Sequence, residues 1–229
     1  MVKGEAGGVW FRPERSGRSE RNAPPLSRER IVTEAIALLD EEGITRLTMR
    51  RLAERLNAGA TTLYWHVKTK DDVLDLALDT VFGEARVPDE PSGDWRADAT
   101  ALMGEWRAAM LRHPWTAVLL GRPLMGPNVL ERTEFLHATL VEAGLSGPRL
   151  TAATYALSHY VIGSAMMQAA WRGHEDPATR QTIADHLTAH RDRYPSLVDH
   201  GHPSTDWDAV FAEGLACLLD GIAARMPQG

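Results

Sequence analysis

Apolar residues return every three or four positions along most of this 229-residue chain, and nowhere do they alternate one in two over a sustained stretch. That period places them on one stripe of an α-helix and not on one face of a strand. The chain is therefore constrained to an all-α fold in which each helix hides a stripe against its neighbours. Ile31, Ala35, Leu38 and Leu39 define such a stripe over residues 27–42, between a capping Ser27 and a terminating Gly43. Thr48 caps a second helix, with Leu52, Ala53 and Leu56 inward, and the "NAGA" at 57–60 breaks it at residues that accept a left-handed turn. A short third helix follows at about 61–66. Thr69 caps a fourth at about 70–84, with Val73, Leu74, Ala77, Leu78 and Val81 on one face. Further helices are expected at about 94–112, 128–143, 149–172, 177–190 and 206–226. Pro and Gly break 113–127, which holds at most a short helical turn, and the segment around Pro195, Gly201 and Pro203 reads as a loop.

A chain this long suits one large domain, or a small one joined to a larger one. Cys217 is the single cysteine, which excludes an internal disulfide and fits a reducing, cytoplasmic setting; its apolar neighbours suggest a small core residue. No run of eighteen apolar residues offers a membrane span. Residues 1–25 carry charges throughout and no apolar signal region, so a disordered tail is expected. Two readings stand for its Lys3, Arg12, Arg15, Arg18 and Arg21: a solvated leader, or a basic arm that touches phosphate.

The whole chain is acidic, at −6, but contact depends on the local field. Between Ile44 and Lys70 stand Arg46, Arg50, Arg51, Arg55, Lys68 and Lys70 against Glu54 alone. Two helices joined by a tight turn in such a field read as a helix-turn-helix whose second helix enters a major groove of double-stranded DNA. Leu63 and Val67, four apart, face inward. Thr61, Thr62, Tyr64, Trp65 and His66 are left to face out, with Lys68 and Lys70 adding phosphate charge and Arg50 within reach of backbone or base. A second reading of Trp65 has it packed on the first helix.

Residues 26–84 resemble the N-terminal domain of the TetR family of transcriptional repressors, through "IVTEAIALLDEEGITRLTMRRLAERLNAG" and "TLYWHVKTKDDVLD". The "TLYWHV" form is most similar to the tetracycline-repressor branch. The resemblance implies DNA-contacting roles for Thr48, Arg50, Thr61, Thr62, Tyr64, His66 and Lys70. Gly59 and Ala60 depart from it, because that branch carries larger polar side chains there, so the operator sequence does not carry over.

Residues 94–226 resemble the same branch more loosely, and the resemblance implies a small-molecule pocket and a dimer interface. The large, soft residues suited to lining a pocket for an apolar or aromatic effector are Met103, Trp106, Met110, Trp115, Met125, Phe135, Tyr155, Met166, Met167 and Trp171; core packing is the other reading of such stripes. Arg122, His137 and His159 are polar groups suited to orienting it. The branch places a metal-binding histidine just before the turn equivalent to Gly121-Arg122-Pro123. Leu119 and Leu120 stand there, so an effector other than tetracycline, bound without metal, is expected, and no cofactor. His186 and His190, four apart, have a zinc-binding spacing or form a solvated face. The helices at 149–172 and 206–226 are apolar on more than one face, which suits a four-helix bundle across a homodimer.

The expected organisation is a tail (1–25), a helix-turn-helix DNA-binding domain (26–84) and a ligand-binding and dimerisation domain (94–226), acting as a repressor that an effector releases from a palindrome. Two rivals remain. One is a helical enzyme, for which no paired-carboxylate, Ser/His/Asp or phosphate-loop signature is present, Glu105 and His113 having no partner logic. The other is a ligand-binding protein whose helix-turn-helix lacks DNA affinity.

Overall fold

A computed structural model describes Trp10 and residues 26–119, 125–171, 176–200 and 206–226. Ten α-helices and two 3-10 turns make up the regular structure among these residues, with no strand. The helices are α1 (Arg28–Glu42), α2 (Met49–Arg55), α3 (Ala60–His66), α4 (Lys70–Phe82), α5 (Trp95–Arg112), α6 (Pro127–Glu142), α7 (Gly147–Trp171), α8 (Pro177–Ala189), α9 (Pro195–Asp199) and α10 (Trp207–Ala223). The 3-10 turns are Ile44–Arg46 and Pro114–Leu119. The basic-arm reading of residues 1–25 and the site expectation for Arg122 lie outside the described residues. The chain forms two compact units, Met1–Thr139 and Leu140–Gly229, dividing within α6.

The starts of the helices follow their caps. The Ser27 hydroxyl accepts from the Arg30 N–H at 3.2 Å, and Thr48 from Arg51 at 3.1 Å. Thr69 and Asp72 form a reciprocal capping box at the start of α4, and Asp72 also accepts the Lys68 N–H at 2.8 Å. At the far end of α1, Gly43 turns at φ 77°, a conformation that glycine adopts without strain. The turn between α2 and α3 uses a left-handed Asn57, at φ 50°, while Gly59 is extended.

In the first unit α1 packs on α2 and α4, and α4 on α5. The expected stripes are its core: Ile31, Ala35, Leu38, Leu39, Leu52, Leu63, Val67, Val73, Ala77 and Leu78 are all buried. The buried Asp98 carboxylate accepts the Ser92 N–H at 2.7 Å and folds the preceding loop onto α5. In the second unit α7 and α10 pair along Ala153, Leu157, Val161 and Ala165 against Phe211, Leu215, Leu219 and Ile222. Tyr160 stacks on Phe211 at 5.5 Å and donates its hydroxyl to the Phe211 carbonyl at 2.9 Å. Gly214 makes room for it: a Cβ there would stand 2.2 Å from the Tyr160 oxygen.

Two expectations give way. Cys217 is exposed in this unit, because the buried line of α10 runs through Leu215 and Leu219 and turns position 217 to the other side. The loop expected around Pro195 contains α9: the proline sits at the first helical position, where its fixed φ and missing N–H start a helix instead of ending one.

Candidate functional site

Packing decides what α3 displays. Leu63 is completely buried and Val67 nearly so, which anchors one side of the short helix. The opposite side carries Ala60, Thr61 and Thr62, all exposed, together with Tyr64 at 44% and Trp65 at 55% exposure. Of the two readings of Trp65, the outward one holds. His66 is half-buried, and its Nδ1 is buried with no hydrogen-bond partner among the described residues. Thr48 is exposed while its hydroxyl caps α2. An exposed aromatic pair beside small hydroxyl residues, on a helix held by one buried leucine, matches what groove insertion requires.

The basic field is weaker than its sequence count. Three carboxylates of α1 fold onto α2: Glu42 meets Arg51 at 2.5 Å, Glu41 meets Arg55 at 2.5 Å, and Glu34 also pairs with Arg55. The hydrogen bond from Arg55 holds the Glu41 carboxyl below the usual carboxylate range, and the two acids raise the Arg55 guanidinium further above its own. These two arginines join helices. Arg50, whose side chain is 89% exposed, touches Glu54 at 2.9 Å across one turn, an exposed pair of small net worth that phosphate can displace. Lys68 donates to the Tyr64 carbonyl at 3.1 Å, and Lys70 to the Ile44 carbonyl at 2.9 Å, which fastens the start of α4 to the first 3-10 turn. An open cleft of about 770 Å³ runs along Thr45, Arg46, Thr48 and Arg50.

The expected effector residues divide by burial. In the first unit Met103, Trp106, Met110, Trp115 and Phe135 are buried, His137 is half-buried and Met125 is exposed. In the second, Tyr155, His159, Met167 and Trp171 are exposed, as is Met166, with the Tyr155 and His159 rings 5.6 Å apart. Trp106 meets Phe82 of α4 edge-on at 5.9 Å. Its indole nitrogen and the hydroxyl of the buried Thr139 have no hydrogen-bond partner among the described residues. Buried polar atoms are ordinarily satisfied, so each of these two groups is an exception among the described residues. Thr139 carries no sequence signal, being one of two threonines in an amphipathic helix. Trp115 behaves differently, giving its N–H to Asp40 at 2.7 Å.

Two polar joints also escaped sequence reasoning. Asp79 of α4, 4% exposed, accepts from the Asn128 side chain at 2.8 Å and from the N–H groups of Asn128 and Val129 at 3.3 and 3.0 Å, so it caps α6 from another helix. Arg132 of α6, 7% exposed, donates to the carbonyls of Gly83 and Ala85 at 2.7 Å each and closes the end of α4. The second joint gathers Asp40, Glu84, Arg112 and His113 around Trp115.

In the second unit α7 and α10 leave a groove of about 470 Å³ lined by Ala152, Ala156, Cys217, Leu218 and Gly221. His186 and His190 lie face to face at 4.4 Å on the exposed α8, and His190 bonds through Nδ1 to the His186 carbonyl. Among the described residues no group of three or more His, Cys, Asp or Glu side chains is arranged to hold a metal ion, and no helix is long and apolar enough to cross a membrane.

Residues 31–77 match the bacterial regulatory proteins of the tetR family, and residues 87–226 match the tetracyclin repressor-like C-terminal domain. An HTH-type transcriptional regulator of Saccharopolyspora erythraea is 48% identical over 225 residues, which span 97% of this chain and 94% of the relative. The HTH-type transcriptional repressor DrrR1 of Streptomyces coeruleorubidus is 31% identical over 233 residues, 96% of this chain and 85% of its own. The structure of the TetR family protein ActR of Streptomyces coelicolor in complex with actinorhodin superposes with a TM-score of 0.77 at 31% identity, covering 90% of this chain and all of that one. With its outward-facing α3, its all-helical second region and these matches over nearly its full length, the chain belongs to the TetR family and is a transcriptional regulator, not an enzyme.

Proposed function

We propose that the chain is a homodimeric repressor that reads a palindromic operator in the cytoplasm and is released by an apolar or aromatic effector. The observation that carries the DNA-binding part is the display of Thr61, Thr62, Tyr64 and Trp65 over a buried Leu63, because nothing in the stability of α3 needs an outward tryptophan. On this reading Thr48, Arg50, Tyr64, His66, Lys68 and Lys70 contact backbone phosphates or bases, and Thr61 and Thr62 offer hydroxyl and methyl groups to base edges. A seven-residue helix makes few base contacts, so two copies about 34–36 Å apart are needed to read an operator. The second apolar face of α7 and α10, with the groove along Ala152, Ala156, Cys217 and Leu218, supports a four-helix bundle between two copies.

The effector reading rests on buried Met103, Trp106, Met110 and Phe135, with the Trp106 indole nitrogen and the Thr139 hydroxyl that have no partner among the described residues, and on the actinorhodin held by ActR. Met125 and His137 are proposed to belong to this lining in the first unit, and Tyr155, His159, Met167 and Trp171, with the Arg122 named from the sequence, are proposed as effector contacts on the sequence pattern alone. Trp106 touches Phe82, so an occupant displacing Trp106 acts on α4, the helix that follows the recognition helix. The effector must bind the DNA-incompetent state more tightly, by about 1–3 kcal/mol, to shift the population.

The test is titration of the dimer against duplexes from its own promoter region. Tight binding that weakens linearly in log salt, with a stoichiometry of two chains per site, is the expected result. Release by aromatic and polycyclic compounds, preceded by a rise in Tm of the free protein, supports the effector class. A monomer, or equal affinity for every duplex, sinks the proposal.

A further inference from the structure

The carboxylate of Asp40, near the end of α1, meets two polar side chains from a segment more than seventy residues downstream. One oxygen, Oδ1, accepts the Trp115 indole N–H at 2.7 Å and faces His113 Nδ1 at 2.8 Å. The other ring nitrogen of His113 meets Glu84, just beyond α4, at 3.0 Å, and the second Glu84 oxygen takes Arg112 at 2.6 Å. The His113 side chain is only 12% exposed, so these contacts are partly sheltered from water and from salt screening. The clasp thus ties three elements at one point: α1, the end of α4, and the corner where α5 gives way to the Pro114–Leu119 turn. Neither α1 nor α4 needs it to form, since each carries its own cap and buried stripe. α1 is the helix on which both α2 and α4 pack, so a change in its tilt carries the helix-turn-helix with it.

We propose that Asp40, His113 and Trp115 form the joint through which the α5 corner controls the orientation of α1, with His113 and Trp115 as positioning residues. This deepens the repressor reading and rests on it: the clasp supplies a route by which events at α5 reach the DNA-reading helices. The route is distinct from the contact between Trp106 and Phe82, because it ends on α1 and passes through hydrogen bonds to a single carboxylate oxygen. Coupling between two sites is reciprocal, so operator binding must tighten the same corner even with no effector present.

The experiment uses the full chain and a promoter duplex that it retains in a mobility-shift assay. Amide hydrogen exchange of residues 107–119 is measured with and without that duplex. In the unsubstituted chain DNA is expected to slow exchange there at least threefold. His113→Gln and Asp40→Leu are expected to lose that slowing while their operator affinity stays within threefold. Asp40→Asn, which keeps an oxygen for the Trp115 N–H, is expected to restore at least half of it. Circular dichroism and melting confirm folding; should Asp40→Leu fail to fold, His113→Gln and Trp115→Phe carry the comparison. Slowing that survives in these variants overturns the joint, and so does DNA-bound unsubstituted protein with unchanged exchange at 107–119. If the unsubstituted chain retains no duplex at all, the DNA-binding reading falls first and the joint with it, an outcome the mobility shift separates from the others.

Discussion

The joint between α1 and α2 and the joint between α4 and α6 use the same chemistry at opposite depths. At the first, Arg51 and Arg55 reach carboxylates of α1 across partly wet surface. At the second, Asp79 and Arg132 each cap a helix that is not their own, both almost wholly out of water. The difference teaches where a charged side chain has structural weight. Exposed pairs exchange one set of hydrogen bonds for another and contribute about 0–1 kcal/mol. A buried group that satisfies backbone N–H or C=O is hard to remove, because the abandoned backbone group has no water to turn to. The α4–α6 joint is therefore the rigid part of the first unit, and the α1–α2 joint is adjustable.

The sharpest way to break this contrast is Asp79→Ala. It leaves the N–H groups of Asn128 and Val129 unsatisfied at about 1–3 kcal/mol each, so urea unfolding is expected to show a loss of roughly 3 kcal/mol or more. Gly126→Ala attacks the same place from the other side, since the new Cβ would stand 2.1 Å from Asp79 Oδ1; a loss of about 1–3 kcal/mol is expected in the same assay. Arg132→Met keeps the stem and removes the two bonds to Gly83 and Ala85, and about 2 kcal/mol is expected. Arg55→Met, on the adjustable joint, is expected to cost less than any of these three and to become neutral in high salt. Its sign with pH follows from Glu41, whose folded pKa is lowered. The contribution is present above the ordinary carboxylate range and fades as pH falls through the lowered value.

The smallest effect on stability is expected at the residue with the largest effect on binding. Trp65→Ala should change the unfolding free energy by less than about 0.5 kcal/mol, as exposed substitutions do, and weaken operator binding at least tenfold in a fluorescence titration. Leu63→Ala, two positions away, should reverse the pattern, losing about 2–5 kcal/mol of stability. If both variants were to lose stability alike, α3 would be core and the DNA-binding reading would fail.

Much of the fold is legible in the chain itself. Ser27, Thr48 and Thr69 each cap the helix that follows, and a cap acts on N–H groups two or three residues away. Stripes at helical spacing named the core of α1 to α4, and the glycine after α1 named its end. The surface of α3 was legible because Leu63 and Val67 leave only one side for the aromatic residues. The site as a whole was less so. Counting charges from Ile44 to Lys70 missed Glu34, Glu41 and Glu42, which are distant in sequence and adjacent in space. Scanning for soft residues gave Trp106 and Trp115 one role, yet one indole N–H has no partner among the described residues and the other is given to Asp40.

Local signals, each acting within about one helical turn, were enough to determine an all-helical fold, the starts of α1, α2 and α4 and the inward stripes of α1 to α4. Tertiary structure alone decided which polar groups meet across helices: Asp79 on the start of α6, Arg132 on the end of α4, Asp40 beneath Trp115, and Cys217 turned outward. The physical reason is range. A cap or an apolar stripe is a property of neighbours along the chain, whereas burial and hydrogen bonding between helices arise only when the packed stripes bring distant residues within 3 Å.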